Sequence, residues 1–426
     1  MKKYNNYKDS GIEWIGKIPE HWDIILFKRI ILKIKDGTHG TFQRVSNGHP
    51  FLSAKNVYDN GIKIGEKESN ISEEDYLEIT KNGFPSKNDL LITCVGTIGR
   101  TYVYDFEKPM AFQRSVTFIR FYDGINPQFY KYYVQSSIYQ NLLISLAKTS
   151  AQSGIYMGDL MNTTTIKIPP FEQTAIANYL DHKTTQIDTL IAKKEQFISL
   201  LQEERTAVIN QAVTKGLDPK VKMKDSGIEW LGEIPEHWEV KKLAFEFNTL
   251  NTKRVPLSAE ERGKMESRIY DYYGASGVID KVENYIFDEE LILIGEDGAN
   301  LLTRTKRLAF IASGRYWVNN HAHIIKPING NIYYFCELLE LIDYTIYISG
   351  SAQPKLTQEA LMSIKIPVPP ISEQNKIFDY LKDEFNKIDT IISKSQQEIE
   401  LLKEYKTALI SEVVTGKVDV RDVILN

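Results

Sequence analysis

The side chains that could do chemistry come in small groups, and most of the groups fall short of a reaction. His321-Ala-His323 places two imidazoles on one face of a strand, as a metal pair requires, but no third ligand stands nearby. A strand histidine that packs or hydrogen-bonds is the plainer reading, and no metal is assigned. Ile168-Pro169-Pro170-Phe171 has the outline of the Asn/Asp-Pro-Pro-Tyr motif of amino-methyltransferases. The first side chain of that motif must accept a hydrogen bond from the amino group being methylated. Ile168 cannot, nor can Val368 in the matching Val368-Pro369-Pro370, so a Pro-Pro lead into a helix is expected. There is no glycine-rich S-adenosylmethionine loop and no G-x-x-x-x-G-K-[ST] phosphate loop, hence no ATP motor of the chain's own. Glu239-Val-Lys241 fits a nuclease pattern too loose to carry weight. His21 and His237 each follow a glutamate in Pro-Glu-His-Trp. Acid–base catalysis is the sharp reading of that pair. A structural clip, with Trp22 and Trp238 buried against the first strand, is the one adopted, and no catalytic residue is assigned.

Those two tetrapeptides end a phrase written twice. Lys8 to Trp22 and Lys224 to Trp238 agree at thirteen of fifteen positions, differing only at Ile15/Leu231 and Lys17/Glu233. The repeat continues downstream. Ile168-Pro169-Pro170-Phe171-Glu172-Gln173 is answered by Val368-Pro369-Pro370-Ile371-Ser372-Glu373-Gln374, and Ser150-Ala151-Gln152 by Ser351-Ala352-Gln353. Ile187–Ile191 matches Ile388–Ile392, and Thr206–Ile209 matches Thr407–Ile410. The chain is therefore A–B–A′–B′. The variable domains span 1–170 and 217–370, and the similar helical segments 171–216 and 371–426, the last with a short tail.

The helical segments carry a seven-residue period. Leu180, Ile187, Leu201 and Val208 share one register, interrupted by Lys194; Leu381, Ile388, Leu402 and Leu409 share another, interrupted by Ser395. Leu190 with Phe197, and Ile191 with Ile198, widen the first stripe. Gly216 and Gly416 stand where helix-ending glycines belong. Each helix should run roughly 40 residues, about 60 Å, in coiled-coil geometry. Mixed surface charge makes these helices a protein-facing scaffold. In the variable domains, Asp89–Val95, Thr101–Tyr104, Met110–Phe121, Glu290–Ile294, Leu308–Ile311 and Ala322–Ile325 read as strands bounded by glycine loops.

A length of 426 residues implies more than one core, and a net charge of −4 excludes indiscriminate nucleic-acid coating while leaving room for a local basic face. Cys94 and Cys336 are in no ligand spacing and read as incidental thiols of a cytoplasmic protein. No signal peptide is expected, and no apolar run reaches a membrane span.

The repeated phrase, the two dissimilar β-rich domains and the Pro-Pro-led helices together resemble the specificity subunits of type I restriction–modification enzymes. The resemblance covers nearly the whole chain. It implies an α/β (α+β) fold: two β-rich target-recognition domains separated by two long antiparallel coiled-coil helices, in a pseudo-two-fold repeat. It further implies that each domain reads half of a bipartite target on double-stranded DNA, and that the helices set the gap. The expected partners are two methyltransferase (modification) subunits and two restriction/motor subunits, with no membrane. S-adenosylmethionine, ATP and Mg would reside on those partners, and no cofactor on this chain.

Base and phosphate contacts need cationic and amide side chains on loops. In the first domain the candidates are Thr38, His39 and Arg44, then Lys55 and Asn56, Thr97 and Arg100, and Gln113, Arg114 and Ser115. In the second they are Ser276, Asn300, Arg304, Arg315, Asn319, Asn320 and His321. The rival expectation is a coiled-coil assembly protein whose two β-rich domains bind proteins or glycans.

Overall fold

The computed structural model describes residues 2–147, 154–350 and 354–425, so Ser150-Ala151-Gln152 and Ser351-Ala352-Gln353 lie outside the described residues. The chain forms two compact units, Met1–Lys194 with Gln396–Asn426, and Glu195–Ser395. The expected domain limits near 170 and 370 coincide with the starts of the long helices. The compact units instead divide both helices near their middles, at Lys194 and Ser395, the two residues that interrupt the apolar registers.

The helices are α1, Pro170–Lys215, and α2, Ile371–Val414, of 46 and 44 residues. At 1.5 Å per residue they run about 69 and 66 Å. A proline leads into each, and neither contains a glycine. Each stops at a glycine in the left-handed region, Gly216 at φ 74° and Gly416 at φ 75°, where a Cβ would be strained. In the first unit Lys406 Nζ meets Asp188 at 2.7 Å and Lys194 meets Glu398, so the helices run antiparallel there. In the second unit Arg205 Nη1 reaches Asp389 at 2.7 Å and its guanidinium lies over the Phe385 ring. Leu180, Ile187, Leu201, Leu381, Ile388 and Leu409 are buried as their register requires, and Ser395 is buried with them. Leu190 and Phe197 are not part of the seam; both are exposed, as are Leu200, Ile391 and Leu401.

Each variable domain contains a four-stranded sheet of common strand order, and the second unit holds a further four-stranded sheet. In the first unit the common sheet contains β1 (Ile31–Asp36), β3 (Leu90–Thr93), β4 (Thr101–Val103) and β6 (Val116–Phe121), in the order β4-β3-β6-β1. Between them in sequence, β2 (His49–Leu52) and β5 (Ala111–Phe112) pair in parallel. The second unit repeats this plan with β7 (Phe247–Thr249), β8 (Tyr270–Gly274), β9 (Leu291–Gly295), β10 (Ala309–Ala312), β11 (Arg315–Val318) and β12 (Ala322–Pro327). Its sheet order is β10-β9-β12-β7, and β8 and β11 pair in parallel. Two domains with little common sequence thus share one topology. Leu90–Thr93 and Leu291–Ile294 are fully buried, which explains why they read as continuous apolar runs.

The repeated phrase closes both units in the same way. Tyr7–Asp9 pairs with Lys17–Pro19, and Met223–Asp225 with Glu233–Pro235. Trp22 and Trp238 are fully buried, in the same cores as Ile31 and Phe247 of the first sheet strands, and each indole N–H in addition donates to a helix carboxylate. Trp22 Nε1 donates to Glu172 Oε2 at 2.7 Å, and Trp238 Nε1 to Glu373 Oε2 at 3.1 Å. His21 Nε2 and His237 Nε2 reach the same carboxylates at 3.0 and 2.8 Å. The end of the opposite helix packs onto each ring, since a Cβ at Gly416 would lie 2.9 Å from Trp22 and one at Gly216 3.3 Å from Trp238. The following glutamine completes the joint. Gln173 accepts from the Asn126 amide and donates to Ile168 O; Gln374 does the same with Asn331 and Pro369.

Two outcomes follow from this joint. Glu172 is 0% exposed and also faces Arg421, whereas the Glu373 side chain is 25% exposed. Glu172→Ala should therefore cost about 3–5 kcal/mol of stability. Glu373→Ala should cost less, and urea unfolding of the two variants compares them. The second outcome concerns pH. Asp419, whose amide donates to Lys2 O, has its carboxyl held below the ordinary 3.8 by hydrogen bonds from Arg421. A depressed carboxyl stabilises the folded clasp above its unfolded value and stops doing so as pH falls through the folded one. Hydrogen-exchange protection of the Asp419 amide should thus decline below about pH 4, and Asp419→Asn should abolish that dependence.

Candidate nucleic-acid interface

The strand directions bring most of the sequence candidates to one sheet edge. Strand β6 is antiparallel to both β1 and β3, so its start meets their ends: Thr117 lies opposite Asp36 and Val116 opposite Thr93. Backbone bonds then stitch the loops together. Thr38 N donates to Phe112 O, Arg114 N to Thr38 O, Cys94 N to Ser115 O and Gln113 N to Leu52 O. Ala54 N donates to Ser115 Oγ at 3.0 Å. The loops after β1, β2 and β3 and the β5–β6 turn thus share one edge, which holds every first-domain candidate.

Their side chains are not equally free. Asn56 is buried; its Oδ1 accepts from Ser53 N at 2.9 Å, and its Nδ2 donates to Lys63 O and Glu68. That amide holds its own loop together and has nothing left for a base. Lys55 is paired with Glu68 at 2.8 Å, Arg44 lies over Phe51, and Arg100 lies over Tyr58. Ser115 is engaged with Ala54. Arg114 is exposed, and its guanidinium has no hydrogen bond or ion pair among the described residues. The side chains of His39, Thr97 and Gln113 are likewise without a hydrogen bond there. Arg114 is the available cation of this edge.

The same edge of the second domain carries the equivalent loops. Glu296 N donates to His321 O, Asn319 N to Tyr273 O and Leu250 N to Ile324 O. Asn319-Asn320-His321 therefore occupies the place of Gln113-Arg114-Ser115, and Ser276 follows β8 as Lys55 and Asn56 follow β2. Asn300 and Arg304 lie between β9 and β10 as Thr97 and Arg100 lie between β3 and β4. Again several are committed. Asn319 is buried and accepts from His321 N at 2.8 Å, while His321 Nδ1 meets Asp297 at 2.9 Å. Asn300 is bonded to Thr305 and Lys306, and Arg304 donates to Ile342 O and Glu340 O. Arg315 does not join the group. It starts β11, at the far end from the Asn319 turn, and is held by Asp288 at 2.9 Å.

His321 and His323 do not share one role. His323 Nε2 donates to Leu356 O at 2.7 Å, so Nδ1 is the acceptor for Asn251 Nδ2 at 2.9 Å. Burial lowers the His323 pKa, which favours this neutral form. Burial likewise pushes the Cys94 and Cys336 thiols up to about 12, leaving both unreactive as thiolates.

One loop of the edge escaped the sequence reading. Asn251–Arg254 follows β7 as Thr38 follows β1. Its Arg254 guanidinium donates to Ala322 O at 2.9 Å and pairs with Glu296. Burial works against the Glu296 carboxylate, but that guanidinium holds its pKa below the ordinary value. Lys253 beside it is exposed, with no ion pair among the described residues. The signal was positional: a polar, basic stretch just after the first sheet strand in both copies. Asn56→Ala should destabilise the fold by about 1–3 kcal/mol, because three loop groups lose their partner. Arg114→Ala should stay within about 0.5 kcal/mol of the parent. Urea denaturation of both variants makes the comparison.

Comparison with known proteins agrees with this layout. The family described as the type I restriction modification DNA specificity domain matches residues 31–199 and again 235–401. A Methanocaldococcus jannaschii protein described as the MjaX type I restriction enzyme specificity subunit is 26% identical, over 98% of this chain and 98% of its own. The EcoKI type I restriction enzyme specificity subunit of Escherichia coli K12 is 27% identical over 58% of this chain and 52% of its own. A solved chain from a type I restriction–modification system, at 12% identity, shares the fold with a TM-score of 0.63 over 94% of this chain and 99% of that one. The assembly-protein reading finds no support among these relatives. Because the family matches both repeats and most of the sequence, the chain belongs to the type I restriction–modification DNA specificity family.

Proposed function

We infer that this chain is the DNA-reading, non-catalytic subunit of a type I restriction–modification complex. Each variable domain reads one half of a bipartite duplex target, and the paired helices set the gap between the halves. The observation that carries the reading is the repeated edge. The same loops are stitched to the same sheet edge in both units, yet their side chains differ. A common frame with dissimilar loops is what two half-sites of different sequence require, because the duplex backbone repeats while its bases do not.

Catalysis is assigned to partners: two methyltransferase subunits carrying S-adenosylmethionine, and two restriction/motor subunits using ATP and Mg. The exposed Leu190, Phe197, Leu200, Ile391 and Leu401 along the two helices support partner docking, since an exposed apolar row is otherwise a solubility cost. This chain contributes recognition, not a reaction step.

Two measurements test the reading. Exchanging the first domain, residues 2–167, for that of a relative should change one half-site and keep the other, as read by sequencing methylated host DNA. A change in both halves would sink the modular reading. Arg114→Ala should lower affinity for the specific site by about 1–3 kcal/mol. An unchanged affinity together with an unchanged salt slope would remove Arg114 from the interface.

A further inference from the structure

One turn of the reading edge is built alike in both units, and its middle side chain is free in each. In the first unit it is Gln113-Arg114-Ser115, ahead of β6; in the second it is Asn319-Asn320-His321, ahead of β12. The main chain is pinned at matching atoms. Gln113 N donates to Leu52 O and Cys94 N to Ser115 O; Asn319 N donates to Tyr273 O and Glu296 N to His321 O. Val116 then lies opposite Thr93, and Ala322 opposite Gly295. Arg114 and Asn320 therefore hold the same place, two residues before an inner strand of the sheet.

Three of the four flanking side chains are taken up within the fold. Ser115 Oγ accepts from Ala54 N, Asn319 Oδ1 accepts from His321 N, and His321 Nδ1 meets Asp297. Arg114 and Asn320 are exposed, and neither side chain has a hydrogen bond or ion pair among the described residues. Their main chains are held all the same. Arg114 N donates to Thr38 O, and the Asn320 carbonyl accepts from Arg254 Nη1 at 3.3 Å. A free polar head on a fixed main chain is suited to directional recognition, because little remains to be ordered on binding. What an arginine and an asparagine can both do from one place narrows the contact. A phosphate attracts the guanidinium through charge, which the amide lacks. A pyrimidine offers neither side chain a bidentate partner. A purine offers one to each on its major-groove edge. Guanine O6 and N7 accept from arginine, while adenine accepts at N7 and donates from N6, which matches the amide.

We propose that this turn reads a purine in each half-site: Arg114 pairs with a guanine of the first, and Asn320 with an adenine of the second. The inference rests on the functional reading above and names two base pairs that it leaves open, a G·C in one half-site and an A·T in the other. One frame then yields two specificities through a single exchange of side chain.

The test uses the full chain co-expressed with the methyltransferase subunit of its host. Recognised sites are read by sequencing methylated host DNA, and the purified complex is titrated with specific and unrelated duplexes across salt. Arg114→Ala should relax one G·C pair of the first half-site, with discrimination there falling about 10- to 100-fold, and leave the second half-site intact. Asn320→Ala should relax one A·T pair of the second half-site alone. Arg114→Gln exchanges a guanine partner for an adenine one, so the same position should come to favour A·T. Circular dichroism of all three should match the parent, because neither side chain has a partner among the described residues. An unchanged recognition sequence in either alanine variant overturns the proposal, as does relaxation at a pair of the other type. A uniform loss of affinity on every duplex, with a salt slope about one unit shallower, marks a phosphate contact and overturns it too. In each of these cases the parent still methylates a bipartite site and the functional reading stands. If the parent complex methylates no bipartite site, the functional reading fails and this proposal with it.

Discussion

The hydrogen bond from a buried indole to a buried helix carboxylate is the contact on which each unit depends. Trp22 and Glu172 are both 0% exposed, and the indole N–H is the shortest donor to that carboxylate, at 2.7 Å. A carboxylate out of water is costly unless its oxygens are occupied, so Trp22, His21 and Arg421 have to converge on it. That requirement fixes the phrase against the first turn of α1. Because Gly416 lies against the same indole, it also fixes the end of α2. A Cβ at that glycine would come within 2.4 Å of Pro19, so no other residue fits without moving the joint. Three segments distant in sequence thus meet at one side chain.

The second unit solves the same problem with Trp238, Glu373 and Gly216, which is why the phrase is spelled twice. The sheets beyond the joint need not be alike in sequence. They need only leave β6 and β12 antiparallel to their neighbours, so that loops collect at one edge. Conservation of frame and divergence of loops therefore have separate physical sources. The frame is held by buried polar bonds that tolerate almost no substitution. Apart from the Asn56 and Ser115 side chains, the loops are joined by backbone bonds such as Arg114 N to Thr38 O, which do not depend on the side chain they carry. A reading surface can change its residues freely only if its shape is set by the main chain.

What the sequence disclosed follows the same division. The helices were legible because a seven-residue register, a Pro-Pro start and a terminal glycine are local signals that packing reinforces. The buried strands were legible as apolar runs. The parallel pairs β2–β5 and β8–β11 were not, because parallel partners are joined by long connections and leave no turn signature. Leu190 and Phe197 looked like seam residues since period alone does not say which flank of a stripe faces the other helix. Among the interface candidates, position was read better than availability. Asn56 lies on the expected edge but is consumed by its own loop, and the Ser53-to-Asn56 spacing of a capping box was the overlooked clue. Arg315 failed on direction, because a strand's two ends cannot both lie at one edge.

The two joints also differ, and the difference has a topological cause. In the second unit the chain passes directly from Gly216 into the hairpin that begins at Met223. In the first unit the corresponding contact, Tyr7 Oη donating to Gly416 O at 3.0 Å, closes a separation of 409 residues. Going from a link of seven residues to one of that length is nearly six doublings, on the order of 3 kcal/mol of extra closure entropy. The first joint carries additional contacts of the right kind. Arg421 reaches Glu172 at 3.3 Å, lies over the Tyr4 ring, and bonds Asp419, whose amide in turn holds Lys2 O. The Tyr4 ring also packs edge-on against Trp22. At the matching places in the second unit stand Lys220 and Val221, and Glu373 is left partly open to water. Where the backbone supplies the connection the side chains are spared; where it does not, a clasp of charges and rings takes its place.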